Sequence, residues 1–249
     1  MSKPKNARVA ASNEMDRGSR VSSRDLRALA FDAYGTLFDV FSVTSLCEQL
    51  FPSRGDALAQ LWRAKQLHYS LLHSVMGRYR DFWQLTGDAL DYASRSLALA
   101  LTGEDRARLM DAYLHLTAFP DVRPGLHTLK GVGLSLAILS NGEPRMLQAA
   151  VTSAGLDDVI DEIVSVDDVR VFKPAPQVYH SLGRRLQLPT SEIGFVSSNS
   201  WDIHGAGAAG LHTFWIQRRA GEPEEELGFP AKRIVTALTD LHIQAASTR

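Results

Sequence analysis

The sequence predicts an α/β fold: a parallel sheet with helices on both faces, broken once by an inserted block of helices. Two observations carry this. In the second half of the chain, short apolar runs of strand length alternate with stretches of helical periodicity. Between the first such run and the rest, residues 42–119 abandon that alternation for helical spacing alone.

The first strand is "ALAF" at 28–31, running into the turn "DAYGTLFD". Helical spacing of apolar residues follows in "DALAQLWRAKQLHYSLLHSV" (56–75), "RDFWQLTGDALDYASRSLALAL" (80–101) and "EDRARLMDAYLHL" (104–116). An insertion after the first strand would cover the carboxyl edge of a doubly wound sheet, where such folds bind ligands. The remaining strands are "LSLAIL" (134–139), "IVSV" (163–166), "IGFV" (193–196) and "HTFWI" (212–216). Helical stretches at 143–155, 176–188 and 201–210 separate them. The core is therefore expected over 27–41 and 120–249, and the helical cap over 42–119. Residues 1–26, polar and rich in Ser, Asn, Lys and Arg, read as a mobile segment.

Composition removes several functions. The chain has 249 residues, 27 basic and 28 acidic, for a net charge of −1. That balance gives no electrostatic basis for binding nucleic acid or an anionic membrane surface. A single cysteine, Cys47, rules out an internal disulfide and argues against a thiolate metal site. No apolar run is long enough to span a bilayer, and the N-terminal segment lacks the apolar stretch of a signal peptide. A cytoplasmic location is expected. None of the eight histidines falls in a metal-binding or triad spacing.

The chemistry collects at strand ends. Asp32 ends the first strand, and Ser140 and Asn141 end the second; Lys173 follows the third in "VFKP", and "SSNSWD" (197–202) ends the fourth. A lone Asp at a strand end is ordinarily a cap or turn residue, and Ser-Asn-Gly ordinarily a turn. In a parallel sheet, however, all four clusters meet at one edge. They bring together a carboxylate, hydroxyls, amides and an ammonium, a set able to hold a nucleophile beside an anionic substrate.

In this order, "FDAYGTL", "LSNG", "VFKP" and "FVSSNSWD" resemble the four motifs of the haloacid dehalogenase superfamily. The resemblance implies a Rossmann-like parallel sheet core with an inserted helical cap subdomain. Most of that superfamily are Mg²⁺-dependent phosphatases with Asp-x-Asp in the first motif and two acids four apart in the fourth. This chain has Tyr34 for the second Asp, and Ser198 four residues before Asp202. With two acids missing from the expected site, a metal-dependent phosphatase is the weaker alternative; a non-catalytic small-acid binding protein is the other. With "LWR" at 61–63 in the cap, the chain most resembles the (S)-2-haloacid dehalogenases.

That resemblance implies a metal-free, cofactor-free hydrolysis of a 2-haloacid by water. Asp32 would attack C2 and displace halide, and water would then cleave the Asp32 ester. Lys173 would balance the carboxylates, and Ser140 would hold the substrate carboxylate. Arg63 and Asn141 would face the halide. Thr36, Ser197 and Asn199 would orient Asp32 or water; Asp202 would help activate water, with Tyr179 a further polar site residue. Ala33, Tyr34, Leu67, Phe82 and Trp201 would form the substrate wall. Ala33 and Ala64 are smaller than expected there and leave the substrate size open. Relatives so implied are often homodimers joined through cap helices.

Overall fold

A computed structural model describes residues 26–243. The mobile segment expected over 1–26 therefore lies, but for Leu26, outside the described residues. Six parallel strands form one sheet: β1 (Ala28–Phe31), β2 (Ser135–Ser140), β3 (Glu162–Ser165), β4 (Ile193–Ser197), β5 (His212–Ile216) and β6 (Arg233–Val235). Their order is β3-β2-β1-β4-β5-β6. The chain winds outward from β1 to β3, then restarts on the other side at β4. The crevice at the carboxyl ends of β1 and β4 is thus the topological switch point, the place where such sheets bind ligands.

Register sets the site level. Phe31 is paired with Ile138 on one side and Val196 on the other. Asp32 therefore emerges beside Ser197, close to the end of β2. All four residues of β1 are buried, as continuous apolar runs are in a sheet covered on both faces. The covers are α5 (Val122–Gly131), α6 (Pro144–Ser153), α7 (Pro176–Leu186) and α8 (Ser200–Ala208).

Between β1 and α5 come α1 (Thr44–Leu50), α2 (Gly55–Val75), α3 (Phe82–Ser96) and α4 (Gly103–Leu114). Local chemistry sets their ends. The Asp81 carboxylate accepts from Gln84 N–H at 2.7 Å and caps α3, and Thr102 accepts from Asp105 N–H at 3.1 Å and caps α4. Helix α3 stops at Ser96, short of the expected 101, because Ala98 adopts a left-handed conformation (φ 52°). Helices α2 and α3 are tied by Trp62 Nε1–H donating to Thr86 O at 2.8 Å. The insert shares its core with the sheet: Tyr34, from the β1 turn, stacks on Phe82 of α3 at 5.7 Å and tilts against Tyr113 of α4 at 5.9 Å. That continuous packing holds the helices over the switch point.

Three elements are not in the sequence reading. β6 has three residues, two of them exposed, and carries almost no pattern. α1 has a single buried residue, Cys47. α5 contains Pro124 and two glycines, which read as loop; the proline is tolerated in the first turn, where no intrahelical N–H bond is lost.

Candidate active site

Asp32 continues the β1 ladder, its N–H donating to Val196 O at 2.9 Å. The chain then curls: Ala33 O accepts from the N–H groups of Thr36, Leu37 and Phe38 at 3.3, 2.9 and 3.0 Å. Gly35, at φ 92°, permits the curl, and a Cβ there would press on Ser198 Oγ at 3.3 Å. The turn brings Thr36 Oγ1 back to donate to Asp32 Oδ2 at 3.1 Å. Asn199 Nδ2 donates to the same oxygen at 2.9 Å, and Lys173 Nζ to Oδ1 at 3.1 Å. The carboxylate is fixed on both oxygens and still borders the cavity.

Behind it lies a buried charge relay. Lys173 Nζ also donates to Asp202 Oδ2 at 2.8 Å, and Tyr179 Oη donates to Asp202 Oδ1 at 2.6 Å. One buried ammonium thus serves two carboxylates. Burial pushes the Asp202 carboxyl up to about 6, with Asp32 adding to the rise and Lys173 opposing it. For Lys173, burial works to lower the ammonium pKa, but Asp202 and Asp32 outweigh it and the net shift is upward. Burial, then Asp202, raise Tyr179 well above the ordinary phenol, so it remains a donor.

The cavity itself is small, about 10 Å³, roughly room for one water. Asp32, Tyr34, Arg63, Leu67, Phe82, Ser140, Asn141, Asn199 and Trp201 line it. Arg63, Leu67 and Asn199 also line a cleft of about 650 Å³ that opens beyond it. Arg63, on α2, donates through Nη2 to Tyr34 O at 3.1 Å, bridging insert and sheet. Asn141 Oδ1 accepts from Lys173 N–H at 3.0 Å, which leaves its NH₂ for the cavity.

Of the residues expected at the site, nine line the cavity, and Thr36, Lys173, Tyr179, Ser197 and Asp202 are tied to them by hydrogen bonds from behind; Ala33 does neither through its side chain. Ala33 is fully buried, serves the turn through its carbonyl and does not line the cavity; its small side chain therefore does not enlarge the pocket. Ala64 is exposed and borders the outer cleft, where it widens the approach. Ser197 Oγ accepts from Asn199 N–H at 3.1 Å, so it acts on Asn199 and not on Asp32 directly. Tyr34 presents a ring: its hydroxyl is buried without a hydrogen-bond partner, against Gly142. Among the described residues no group of three or more His, Cys, Asp or Glu side chains is arranged to hold a metal ion.

Two supports escape the sequence. Arg218 donates to Thr36 O through Nε at 3.1 Å and Nη2 at 2.8 Å, and pairs with Asp121 at 2.7 Å, bracing the turn from outside. Gln66, one helical turn from Arg63, accepts from Arg63 Nη1 at 2.7 Å. Only its burial on a helix carrying Arg63 could have signalled it.

Gly205, in α8, is a further support. A Cβ there would stand 2.5 Å from Tyr179 Oη and 2.6 Å from Pro174 Cβ. Gly205→Ala is expected to push Tyr179 off Asp202 and lower kcat about tenfold, with about 1–3 kcal/mol of overpacking strain. Steady-state turnover and urea unfolding of the variant check both effects.

The chain was compared with known proteins. A family model for haloacid dehalogenase-like hydrolases matches residues 26–210. The (S)-2-haloacid dehalogenase of Pseudomonas sp. (strain YL) is 48% identical over 213 residues, 86% of this chain and 91% of that protein. A crystal structure of an L-2-haloacid dehalogenase superposes with a TM-score of 0.85 at 46% identity, covering 87% of this chain and 96% of that one. The Xanthobacter autotrophicus L-2-haloacid dehalogenase with chloropropionic acid covalently bound superposes with a TM-score of 0.81 at 39% identity, covering 87% and 96%. These matches run over most of this chain and of each relative: the chain belongs to the haloacid dehalogenase-like hydrolases and, within them, to the (S)-2-haloacid dehalogenase family.

Proposed function

We propose that the protein hydrolyses short (S)-2-haloalkanoic acids to (R)-2-hydroxy acids through an ester on Asp32, without a metal. The observation that carries this reading is the pairing across one cavity of the fixed Asp32 carboxylate with the Arg63 guanidinium, walled by the rings of Tyr34, Phe82 and Trp201. A carboxylate nucleophile displaces halide from C2 with inversion, forming a C2–O bond to Asp32 as the carbon–halogen bond breaks. Arg63 and the Asn141 amide receive the charge that grows on the halide. Ser140 and the turn N–H groups hold the substrate carboxylate. Water then attacks the Asp32 carboxyl carbon, losing a proton towards Asp202 through the Lys173–Asn199 surroundings. The bond between the Asp32 carboxyl carbon and the ester oxygen breaks, the leaving alkoxide takes the water's second proton and departs as the hydroxy acid with an oxygen from Asp32, and the water oxygen stays in the carboxylate. Thr36, Ser197 and Tyr179 serve by position: Thr36 on Asp32, Ser197 on Asn199, Tyr179 on Asp202.

The reading extends to the assembly. Helix α2 and its C-cap leave Leu71, Leu72, Val75 and Met76 exposed, Val75 at 78%, and Tyr92 of α3, packed edge-on against Tyr69 of α2, is exposed as well. An apolar surface of this kind on the helical cap (42–119) suits a homodimer joined through α2. No described helix is long and apolar enough to cross a membrane; the balanced charge and lone cysteine fit a cytoplasmic enzyme.

The test is halide release from separate (S)- and (R)-2-chloropropionate in EDTA, followed by single turnover in ¹⁸O-water. Chloride from the (S)-form alone, with the label found in Asp32 by peptide mass, is the expected result. Label in the hydroxy acid alone would mean direct attack of water on C2 and would sink the ester mechanism. Phosphate-ester hydrolysis switched on by Mg²⁺, with no halide released, would favour the phosphatase reading.

A further inference from the structure

Among the described residues Arg63 is the arginine that lines the inner cavity. It lines both the inner cavity and the outer cleft, yet among the described residues it pairs with no carboxylate. Its two hydrogen-bond partners are neutral oxygens, Tyr34 O at 3.1 Å and Gln66 Oε1 at 2.7 Å. Gln66 is fully buried, which is costly for an amide unless every polar atom is used. Here they nearly all are. Oε1 also accepts from Tyr113 Oη at 2.9 Å, and Nε2 donates to Thr86 Oγ1 at 2.7 Å. Thr86 Oγ1 in turn donates to Phe82 O at 2.7 Å. The amide has only one orientation open to it, because a guanidinium has no acceptor and must face Oε1.

We propose that Gln66 is a positioning residue for halide departure: it holds Arg63 at the cavity mouth with a neutral acceptor, leaving the full positive charge for the leaving halide. The proposal rests on the dehalogenase reading above. A carboxylate at this position would orient Arg63 equally well but would cancel the charge that the transition state needs. A non-polar side chain would leave the charge but release the guanidinium, whose long stem then loses its fixed geometry. Tyr113 and Thr86 belong to the same device, since they fix which end of the amide faces Arg63.

The experiment compares the full chain with Gln66→Glu and Gln66→Met. It measures kcat and KM for (S)-2-chloropropionate and (S)-2-bromopropionate, inhibition by added bromide, and thermal unfolding. For Gln66→Glu we expect kcat to fall about 10²-fold with KM within about threefold, the magnitude of one lost electrostatic stabiliser. The loss should be larger for chloride than for bromide, because the poorer leaving group leans harder on Arg63, and bromide inhibition should weaken. Gln66→Met should lose about tenfold in kcat. A folded Gln66→Glu with kcat within twofold of wild type overturns the proposal. So does an equal loss for both halogens with bromide inhibition unchanged, which is what a merely structural residue would give. Should Gln66→Glu not fold, Gln66→Met decides: unchanged kcat overturns the proposal, and a tenfold loss at unchanged unfolding temperature supports it. Wild-type protein that releases no halide from either substrate removes the dehalogenase reading first, and the role of Gln66 with it.

Discussion

Lys173→Met should lower kcat by at least about 10³-fold and destabilise the fold by about 3–5 kcal/mol at pH 7. The side chain is buried, and its ammonium is shared by Asp32 at 3.1 Å and Asp202 at 2.8 Å. Methionine fills similar space but leaves two carboxylates facing each other out of water. That is the costly half of a broken buried ion pair. The deficit has a defined pH dependence. With the ammonium gone, the native state of the variant takes up a proton more readily than the unfolded chain, so its stability relative to wild type recovers as pH falls from 7 towards 5. Urea unfolding at the two pH values measures this. An equal deficit at both would mean that the carboxylates do not feel each other and that Lys173 acts by packing alone.

Asp202→Asn should separate the two half-reactions. Asp32 keeps Lys173, Thr36 and Asn199, so attack on C2 survives. Asp202 is fully buried and held by Lys173 and Tyr179, and in the mechanism proposed above it is the base for the hydrolytic water. The expected result is a burst of about one halide per chain, then turnover slowed about 10³-fold, with the ester visible in intact mass. In wild type, kcat should fall on the acid side with an apparent pKa near 6, where Asp202 takes up its proton. The linkage has a definite sign. Because the folded carboxyl titrates above the unfolded value of about 3.9, the native state binds more protons between roughly pH 4 and 6. Ionising Asp202 therefore works against the fold as pH rises through that window. Asp202→Asn is accordingly expected to destabilise far less at pH 7 than Lys173→Met. No burst, with attack itself lost, would place Asp202 in the first step instead.

Much of the fold was legible because its signals are local. The strands "ALAF" and "HTFWI" occupy the positions expected of them, since a short apolar run buried on both faces leaves little freedom in where it starts. α2 and α3 showed themselves by apolar spacing, and their ends moved only where a cap or a left-handed residue intervened. β6 and α1 stayed hidden because each buries too little to leave a pattern. The site divides in the same way. Asp32 stands at the end of β1, and Lys173 and Asp202 lie in the segments that follow β3 and β4, where chain direction brings polar residues to one edge. Gln66 and Arg218 left no such signal: one is a glutamine inside a helix, the other a lone arginine two residues past β5 and outside every motif.

The sequence by itself determined the sheet, the edge that carries the chemistry, and the family resemblance through which most of the reacting groups were named. These follow from alternation and chain direction, which are properties of neighbours along the chain. Only the tertiary structure decided that Ala33 does not line the cavity, that Ser197 is bonded to Asn199 and Tyr179 to Asp202, and that one ammonium is shared by two acids. It alone showed that Arg63 is held by a neutral amide. Charge balance and hydrogen-bond partnership are set by distances between residues far apart in the chain, such as the 141 positions between Asp32 and Lys173, and no local pattern encodes those distances.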